Sequence, residues 1–252
     1  MEATNKTYDF TSSLERIDEI LSADNKQYEE KDSIPSRSGL TFTNGYYVDC
    51  TALFVDICDS SKLPEYQNRP VLAKIYRSFI SELVALFNGA PKCKEVSING
   101  DCVWAVFDTP YKEDIDSVYC TACKANTLVD VLNYKLNKKG YKTYKVGIGI
   151  DYGRALMIKA GHKGSTINDV IWMGDVVNQA CHLAAKGNAI YSNGYPIMLS
   201  SVIYNNLNTE NQKLCDRNNY YSCYQSNAVN IAMSKWLEEQ NEKDKKNNPW
   251  GY

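Results

Sequence analysis

The stretch SINGDCVWAVF (97–107) contains a tight-turn dipeptide, Asn99-Gly100, between two apolar segments. Two apolar runs that flank Asn-Gly are the strongest short-range signal for a β-hairpin. Asp101 follows the turn directly and begins the second predicted strand. A charged carboxylate is unexpected at the start of a buried apolar strand, and the neighbouring segments suggest why it is there.

The segments on either side of the hairpin alternate between strand and helix patterns. YYVDCTALFVDI (46–57) predicts a buried strand ending at Asp56, and residues 62–87 have apolar side chains at helical spacing. A second helix is predicted over about 114–136, followed by the strand TYKVGIGID (143–151). The order β-α-β-β-α-β predicts an α+β fold with a ferredoxin-like core.

Further elements are predicted outside this core. The amphipathic segment SLERIDEILS (13–22) predicts a short helix capped by Ser12 or Ser13. A strand over RALMIKA (154–160), a loop and a helix beginning near Asp175 follow the core, and short strands and helices come after them. The charged tail 241–252 is expected to be mobile.

The chain is predicted to have three parts: a helical leader and loop (1–45), a main domain (46–205) and a C-terminal strand and helix extension with a polar tail (206–252).

Composition excludes several classes of protein. The net charge is −2, so the sequence shows no electrostatic footprint for nucleic acid. No apolar run approaches the roughly 20 residues that span a bilayer, and the N-terminus lacks the pattern of a signal peptide. The nine cysteines are odd in number and lie in apolar segments, which predicts reduced thiols in a cytoplasmic protein. Cys120 and Cys123 form C-x-x-C, but the helical context favours packing over metal or redox chemistry.

The predicted topology explains the carboxylate at Asp101. In a split β-α-β-β-α-β sheet the first and third strands are antiparallel neighbours, so Asp56 and Asp101 are expected at one edge. Two adjacent carboxylates resist joint ionisation unless a cation lies between them. Oxygen ligands suit magnesium or manganese, and two such ions fit phosphoryl transfer. The alternative is that Asp56 caps the following turn and Asp101 is only a turn residue.

Residues around Asp56 are compatible with a bound nucleotide. Ser60 and Ser61 lie in a turn before a helix, where hydroxyls and free N–H groups can hold a triphosphate. Phe54 projects from the same strand face as Asp56 and is a candidate floor of the nucleotide pocket. It is equally compatible with a place in the core.

Four segments resemble, in order and spacing, the signature motifs of class III nucleotidyl cyclases. The resemblance covers about 47–200 and rests on LFVDICDSSKL (53–63), INGDCVWAVF (98–107), VGIGIDYGRALM (146–157) and WMGDVVNQACHLA (172–184). It implies the cyclase catalytic domain, in which the ribose 3′-hydroxyl attacks the α-phosphate to give a 3′,5′-cyclic nucleotide and pyrophosphate. It also implies a head-to-tail homodimer, with metal ligands from one protomer and base-reading and transition-state groups from the other.

The resemblance assigns roles to particular positions. By this resemblance Asp56 and Asp101 bind two divalent metal ions per site, and the carbonyl of Ile57 is a further ligand. Asn178 matches the asparagine that orients the ribose and stabilises the transition state.

The departures from the family pattern concern the base. Purine cyclases have a lysine four residues before the second metal aspartate, and here that position is Ser97. They have an aspartate or threonine seven residues before the asparagine, and here that position is Ile171. The pair that reads a purine edge is therefore absent.

The family's transition-state arginine is also replaced. Its position, four residues after Asn178, is His182. His182 or Lys186, on one predicted helical stripe with Asn178, is a candidate substitute. Arg154 is another candidate phosphate cation. A surface lysine, a packed histidine and an exposed strand arginine are the structural alternatives.

Intact metal ligands without the purine pair resemble the bacterial pyrimidine cyclases of Pycsar anti-phage systems, the PycC branch. This implies a cytoplasmic enzyme that converts UTP or CTP to cyclic UMP or cyclic CMP, favours Mn²⁺ (or Mg²⁺), and makes a product that acts on a separate effector protein. The sequence does not choose between uracil and cytosine. Two alternatives remain open: a purine cyclase in which Asp169 contacts the base, and a catalytically silent nucleotide-binding module that regulates a partner.

Overall fold

The computed structural model describes residues 2–3 and 5–247. The helices are α1 (Phe10–Leu21), α2 (Leu63–Tyr66), α3 (Arg69–Asn88), α4 (Lys112–Asn137), α5 (Asp175–Ala184), α6 (Ser201–Asn206), α7 (Thr209–Gln212) and α8 (Ile231–Asn247). The strands are β1 (Tyr28–Lys31), β2 (Gly45–Ile57), β3 (Cys93–Asn99), β4 (Cys102–Phe107), β5 (Val146–Gly161), β6 (Asn168–Met173), β7 (Ile197–Leu199), β8 (Cys215–Asn218) and β9 (Cys223–Ser226).

Within the described residues, nine strands form one mixed sheet. The order is β3-β4-β2-β5-β7-β9-β8, with β1 paired to β2 and β6 paired to β5. Strands β2, β3, β4 and β5 with helices α3 and α4 form the β-α-β-β-α-β core, so the α+β ferredoxin-like prediction is confirmed. Strand β4 is the antiparallel neighbour of β2, as the split topology requires.

Strand β2 is buried on both sides, and its alternating side chains enter two separate cores. Leu53, Val55 and Ile57 pack against α3 and α4 in the larger core. Ala52 and Phe54, on the opposite face, belong to a smaller core that includes residues of α5. The period of two along β2 therefore separates a structural face from the face that carries Asp56.

Strand β5 differs from the expected pair of strands. TYKVGIGID and RALMIKA do not form two strands, because Val146–Gly161 continues through Tyr152-Gly153 without a break. Residues 146–158 of this strand pair with β2. The expected loop before Asp175 contains β6, which forms a hairpin with the end of β5. Val170 and Trp172 of β6 pack into the smaller core, and this burial gives the segment its strand conformation.

The leader contains a strand as well as a helix. Helix α1 begins at Phe10, and its cap is Asp9, whose carboxylate accepts the N–H groups of Thr11 and Ser12; the prediction of Ser12 or Ser13 as cap was wrong. The expected loop includes β1, which pairs in parallel with Gly45–Val48 of β2. Residues before 45 therefore contribute to the central sheet.

The helical pattern over residues 62–87 is split into two helices. Helix α2 ends before Gln67, which adopts an extended conformation, and α3 begins with Arg69-Pro70 after the cap Asn68. A continuous helix would place Pro70 in its interior, where proline lacks the backbone N–H and clashes with the carbonyl four residues earlier. Proline is favourable in the first turn of a helix, so the chain breaks before Arg69 and begins a new helix there.

The C-terminal part also adds to the sheet. Strand β9, within the segment expected to hold a short strand, pairs with β7 and with the additional strand β8. Helix α8 extends to Asn247, so the first part of the tail expected to be mobile is helical. Residues 248–252 lie outside the described residues.

Two further sequence expectations concern membranes and thiols. Within the described part of the chain, no helix combines the length and apolarity needed to cross a bilayer. All nine cysteines are free, including the exposed Cys120 and the buried Cys123 of the C-x-x-C segment.

Helix α5 lies against β5 because glycines there leave room for its backbone. A Cβ at Gly149 would lie 2.0 Å from the carbonyl oxygen of Ala180, and one at Gly147 would lie 1.8 Å from that of Ala184. At Gly153 a Cβ would lie 3.6 Å from the nearest atom, in Val176, which is ordinary van der Waals contact. The close approach is therefore specific to the C-terminal half of α5.

We expect Gly149→Ala to lower the free energy of unfolding by about 3 kcal/mol, because an overpacked core forces backbone shifts. Gly153→Ala, in the same strand and under the same helix, is the matched control and is expected to change it by less than about 0.5 kcal/mol. Urea unfolding followed by circular dichroism measures both. Equal stability of the two variants would contradict this account of α5 packing.

Candidate active site

The two aspartates lie at one edge of the central sheet. Asp56 is directly opposite Cys102 in the antiparallel ladder between β2 and β4. Asp101 precedes Cys102 and belongs to the turn of the β3–β4 hairpin, where Gly100 has a φ of 65°. The left-handed conformation at Gly100 allows a two-residue hairpin turn, which delivers Asp101 to the end of β2.

The electrostatics of the pair agree with this proximity. Burial and the neighbouring charge of Asp101 raise the pKa of Asp56 to about 6, and a hydrogen bond from the backbone N–H of Ile57 partly opposes the rise. The charges of Asp56 and Asp101 also contribute to a raised pKa of the Cys102 thiol, after burial. The half-buried Asp56 thus faces a like charge that the protein leaves uncompensated.

The donor set fits a hard divalent cation. Asp56 and Asp101 offer carboxylate oxygens, which are ligands that Mg²⁺ and Mn²⁺ prefer. Among residues 2–3 and 5–247, His, Cys, Asp and Glu side chains form no cluster of three or more with metal-ligand geometry. The remaining ligands would therefore be backbone, water or phosphate oxygens, and a metal at this edge would stay open to a phosphorylated substrate.

The turn after β2 carries Ser60 and Ser61. Asp59 has a φ of 53°, which reverses the chain, and Ser60–Lys62 form a single 3₁₀ turn. Ser60 is partly buried and Ser61 is exposed. The hydroxyl of Tyr76 in α3 lies beside Ser60 and Asp101, and burial and the Asp101 charge raise its pKa. In the sequence, Tyr76 is one of the residues at helical spacing over 62–87, and no motif predicts its place beside Asp101.

An aromatic stack lies next to the carboxylates on the same sheet face. Phe54 is 6% exposed and stacks on Trp104, with ring centroids 4.8 Å apart and planes 6° from parallel. Ser97 of β3 is opposite Trp104, so Ser97, Trp104 and Phe54 form one cross-strand row. Phe54 is thus a core residue that supports Trp104, and the partly buried Ser97 ends the row at the sheet edge.

Helix α5 presents polar groups away from its own sheet. Val176, Ala180 and Leu183 form its buried side, whereas Asn178 and His182 are exposed. Cys181, on the same helix, has a pKa that is raised by burial and by the charge of Asp56. Asn178 and His182 are therefore accessible to a second molecule.

Lys186 lies beyond the helix on which its role was expected. Helix α5 ends at Ala184, and the Lys186 ammonium lies 5.6 Å from the centroid of the Tyr221 ring. The attraction between the ammonium and the aromatic face stabilises Lys186 in this position. The predicted helical stripe through Asn178, His182 and Lys186 is thus wrong at its last member.

The structure does not bring Arg154 to the carboxylates of its own chain. Arg154 is opposite Asp49 in the β2–β5 ladder, seven residues along β2 from Asp56, or roughly 23 Å at strand spacing. It projects from the other sheet face, forms an ion pair with Glu30, and lies 4.1 Å from the centroid of the Tyr47 ring. The prediction of Arg154 as a phosphate cation is corrected: its role here is to hold β1 against β2.

A charged cluster near the base-reading positions was missed by sequence analysis. Arg37 of the leader forms an ion pair with Asp169 of β6 at 2.7 Å and lies 3.6 Å from the carboxylate of Glu95 in β3. Asp169 also accepts the N–H of Val170 at 2.8 Å. No motif links residues so far apart in sequence, and only the fold brings them together.

A cavity of about 800 Å³ lies beyond the turn that follows β2. It is lined by Cys58, Lys62, Asp130 and Lys145 among others, but neither Asp56 nor Asp101 contributes to it. The two carboxylates lie at an open edge of the sheet, and the cavity begins at the turn next to it.

Comparison with known proteins agrees with the fold. The profile of the adenylate and guanylate cyclase catalytic domain matches residues 43–233. The chain therefore belongs to this family, the class III nucleotidyl cyclases, whose catalytic domains generally depend on divalent metal ions. The match extends across β8 and β9, beyond residue 205.

The chain is similar over nearly its whole length to two proteins named uridylate cyclase. One, from Gulbenkiania mobilis, is 38% identical and covers 95% of this chain and 99% of its own. The other, from Treponema porcinum, is 36% identical and covers 92% of this chain and 82% of its own.

Solved structures share the fold at low sequence identity. The adenylyl cyclase CyaB from P. aeruginosa has a TM-score of 0.60 at 18% identity, covering 75% of this chain and 98% of its own. The guanylyl cyclase Cya2 has a TM-score of 0.57 at 15% identity, covering 74% and 95%. These likenesses concern the architecture alone.

We expect Asp56→Asn to raise the free energy of unfolding of the metal-free protein by about 1 kcal/mol at pH 7.5, because a partly solvated carboxylate next to a like charge is removed. Mn²⁺ is expected to raise the melting temperature of the unaltered protein and to have no such effect on the variant, because a ligand of the folded state stabilises it. Differential scanning calorimetry with and without Mn²⁺ measures both effects.

Asp49→Asn, an exposed change on the same strand, is the control. It should keep the Mn²⁺ response. Equal stabilisation of Asp56→Asn and the unaltered protein by Mn²⁺ would mean that the ion binds elsewhere.

Proposed function

We propose that this chain is a uridylate cyclase that converts UTP to 3′,5′-cyclic UMP and pyrophosphate. The observation that carries the proposal is the 38% identity, over 95% of the chain, to a protein named uridylate cyclase. In the reaction the ribose 3′-oxygen forms a bond to the α-phosphorus, the bond to the oxygen bridging to the β-phosphorus breaks, and pyrophosphate leaves.

The base-reading positions support a pyrimidine. Ser97 and Ile171 occupy the two positions at which purine cyclases of the family carry their base-reading pair. Asp169, which the alternative of a purine cyclase would require, is held by Arg37 at 2.7 Å and by the N–H of Val170. An aspartate with both interactions would have to give them up to read a purine.

In the proposed mechanism Asp56 and Asp101, with the carbonyl of Ile57, hold two divalent ions. When bound, these ions lower the pKa of the attacking hydroxyl and neutralise charge on the phosphates. The turn with Ser60 and Ser61 donates hydrogen bonds to the triphosphate.

Remaining roles fall to the exposed side of α5. Asn178 orients the ribose, and His182 stands in the position of the transition-state arginine. Loss of such a donor costs on the order of 2.7–4 kcal/mol in the transition state, and a ring N–H of His182 that donates to the phosphate restores part of that stabilisation. Lys186, which rests on Tyr221, is a weaker candidate for this role.

The proposed site requires two chains. Asn178 and His182 are exposed on the outer side of α5, and family members often dimerise. We propose a head-to-tail homodimer in which these groups complete the metal site of the partner protomer. The resemblance to anti-phage pyrimidine cyclases further supports Mn²⁺ as the working ion, a cytoplasmic location, and a separate effector protein as the target of the product.

One observation favours a second candidate function. The replacement of the transition-state arginine by His182 is compatible with a module that binds a nucleotide without converting it and regulates a partner. The two candidates differ in turnover, so one assay separates them.

Incubated with Mn²⁺ and each of the four ribonucleoside triphosphates, the purified protein is expected to form cyclic UMP from UTP, identified by mass spectrometry. Asp101→Ala is the matched inactive control, because it removes one metal ligand and leaves the hairpin turn in place. A cyclic purine as the only product would replace the proposal with a purine cyclase, and retained UTP binding without product would favour the regulatory module.

Mixing Asp101→Ala and Asn178→Ala protomers is expected to restore up to about a quarter of the unaltered activity, because half of the protomers then form heterodimers with one intact site of two. Each variant alone should be inactive, and native mass spectrometry should verify heterodimers. Heterodimers without recovered turnover would show that each chain carries a self-contained site.

A further inference from the structure

The guanidinium of Arg37 joins two strands that are distant in sequence. Its Nη2 lies 2.7 Å from Oδ1 of Asp169 in β6, and its Nε lies 3.6 Å from Oε1 of Glu95 in β3. The Glu95 side chain is 18% exposed and that of Arg37 is 55% exposed. The carboxylates thus fix one side of the guanidinium while the other side stays open to solvent.

The segment that carries Arg37 is itself firmly placed. Ile34 and Leu40 are each 6% exposed and belong to the same core cluster as Phe54 and Trp104. The N–H of Ile34 donates to Oδ1 of Asp108 at 3.2 Å. Arg37 therefore sits over the sheet face that carries the Phe54–Trp104 stack, and its position is set by burial on both sides.

Both partners of Arg37 are neighbours of the base-reading positions. Glu95 lies two residues before Ser97 on β3, and Asp169 lies two residues before Ile171 on β6. Residues two apart on a strand project from the same face. The guanidinium is therefore bracketed by the two strands whose purine-reading side chains are missing, next to both positions.

We propose that Arg37 is the specificity-determining residue for uracil, donating a hydrogen bond to the 4-carbonyl of the base while Glu95 accepts the N3–H. The inference rests on the proposed function. A guanidinium has five N–H donors in a fixed fork, and its two contacts here leave donors free. The 4-carbonyl lies at the edge of uracil far from the sugar. In the proposed homodimer the base contacts the protomer that carries Asn178, and the metal ions lie on the partner protomer.

The same pair discriminates against the other bases. Cytosine has an amino group at position 4 and an unprotonated N3. Donors would then face donors and acceptors would face acceptors, so the polar groups of Arg37 and Glu95 that contact the base would be left unpaired. Adenine presents the same mismatched order at its N6 and N1. Guanine offers a carbonyl and an N–H in the uracil order, so its exclusion depends on the length of the pocket and not on Arg37.

The charge state of the cluster suits this role. Burial raises the pKa of Glu95, and the positive charge of Arg37 opposes that rise, while Asp169 adds to it. The arginine thus helps to keep a half-buried carboxylate ionised and able to accept a proton donor from the base.

The test compares Arg37→Met, which keeps much of the side-chain volume, with the unaltered enzyme. We expect kcat/KM for UTP to fall about 10- to 100-fold, the effect of one hydrogen bond to a charged group, and the UTP to CTP preference to fall by a similar factor. With 4-thio-UTP, whose sulfur is a poor acceptor, the unaltered enzyme should lose rate relative to UTP, whereas Arg37→Met should treat the two alike.

Asn44→Ala is the matched control, because it disturbs the segment that carries Arg37 without removing the guanidinium. Asn44 accepts the N–H of Thr41 at 2.6 Å and donates to the carbonyl of Gly39 at 3.0 Å, so its loss disturbs the segment but keeps the guanidinium. This variant should keep the UTP to CTP ratio and the discrimination against 4-thio-UTP.

The outcomes separate failure of the Arg37 proposal from failure of the proposed uridylate cyclase activity. If the unaltered protein forms no cyclic UMP, the proposed function fails and the inference fails with it. If it does, but Arg37→Met keeps the original UTP to CTP ratio and still discriminates against 4-thio-UTP, only the inference is overturned. Should Arg37→Met fail to fold, Arg37→Lys preserves the charge without the fork geometry and should show the same loss of base preference.

Discussion

The antiparallel ladder between β2 and β4 is the constraint on which the rest of this site depends. It places Asp56 opposite Cys102 and so sets Asp101 beside the end of β2. A shift of one residue in this register would turn Phe54 and Asp56 toward α3 and α4, where a charge has no place among buried apolar side chains. The two cores on either side of β2 hold the register, and the register holds the two carboxylates together at some cost in stability.

The two faces of the sheet differ in how completely they are covered, and this difference indicates where a substrate can bind. The face against α3 and α4 carries the larger core. The opposite face is only partly covered: α5 lies close to Gly147 and Gly149 of β5, and the Phe54–Trp104 stack lies beside it. A sheet face that is half covered by its own chain is suited to completion by a nucleotide and by a second protomer, and the outward-facing Asn178 and His182 agree with that arrangement.

The leader, residues 1–45, helps to cover the same face of the sheet. Residues Ile34 and Leu40 extend the smaller core, and β1 adds to the sheet beside β2, with Arg154 and Glu30 paired across them. An arginine that a motif comparison would assign to phosphate binding is thus used to anchor the leader. Another arginine, Arg37, is brought by that leader to the strands of the base-reading positions.

The sequence by itself determined the alternation of strands and helices in the core, the hairpin at Asn99-Gly100 and the meeting of Asp56 with Asp101, because local periodicity and chain topology suffice for these. It left out β1, β6 and β8, which gain their strand conformation from pairing with neighbouring strands and, in β6, from the burial of Val170 and Trp172. It also placed Lys186 on a helix that ends at Ala184, and it predicted that Arg154 binds phosphate. Only the tertiary structure decided these points and the meeting of Arg37, Glu95 and Asp169, because ion pairs between distant segments depend on which surfaces packing brings together.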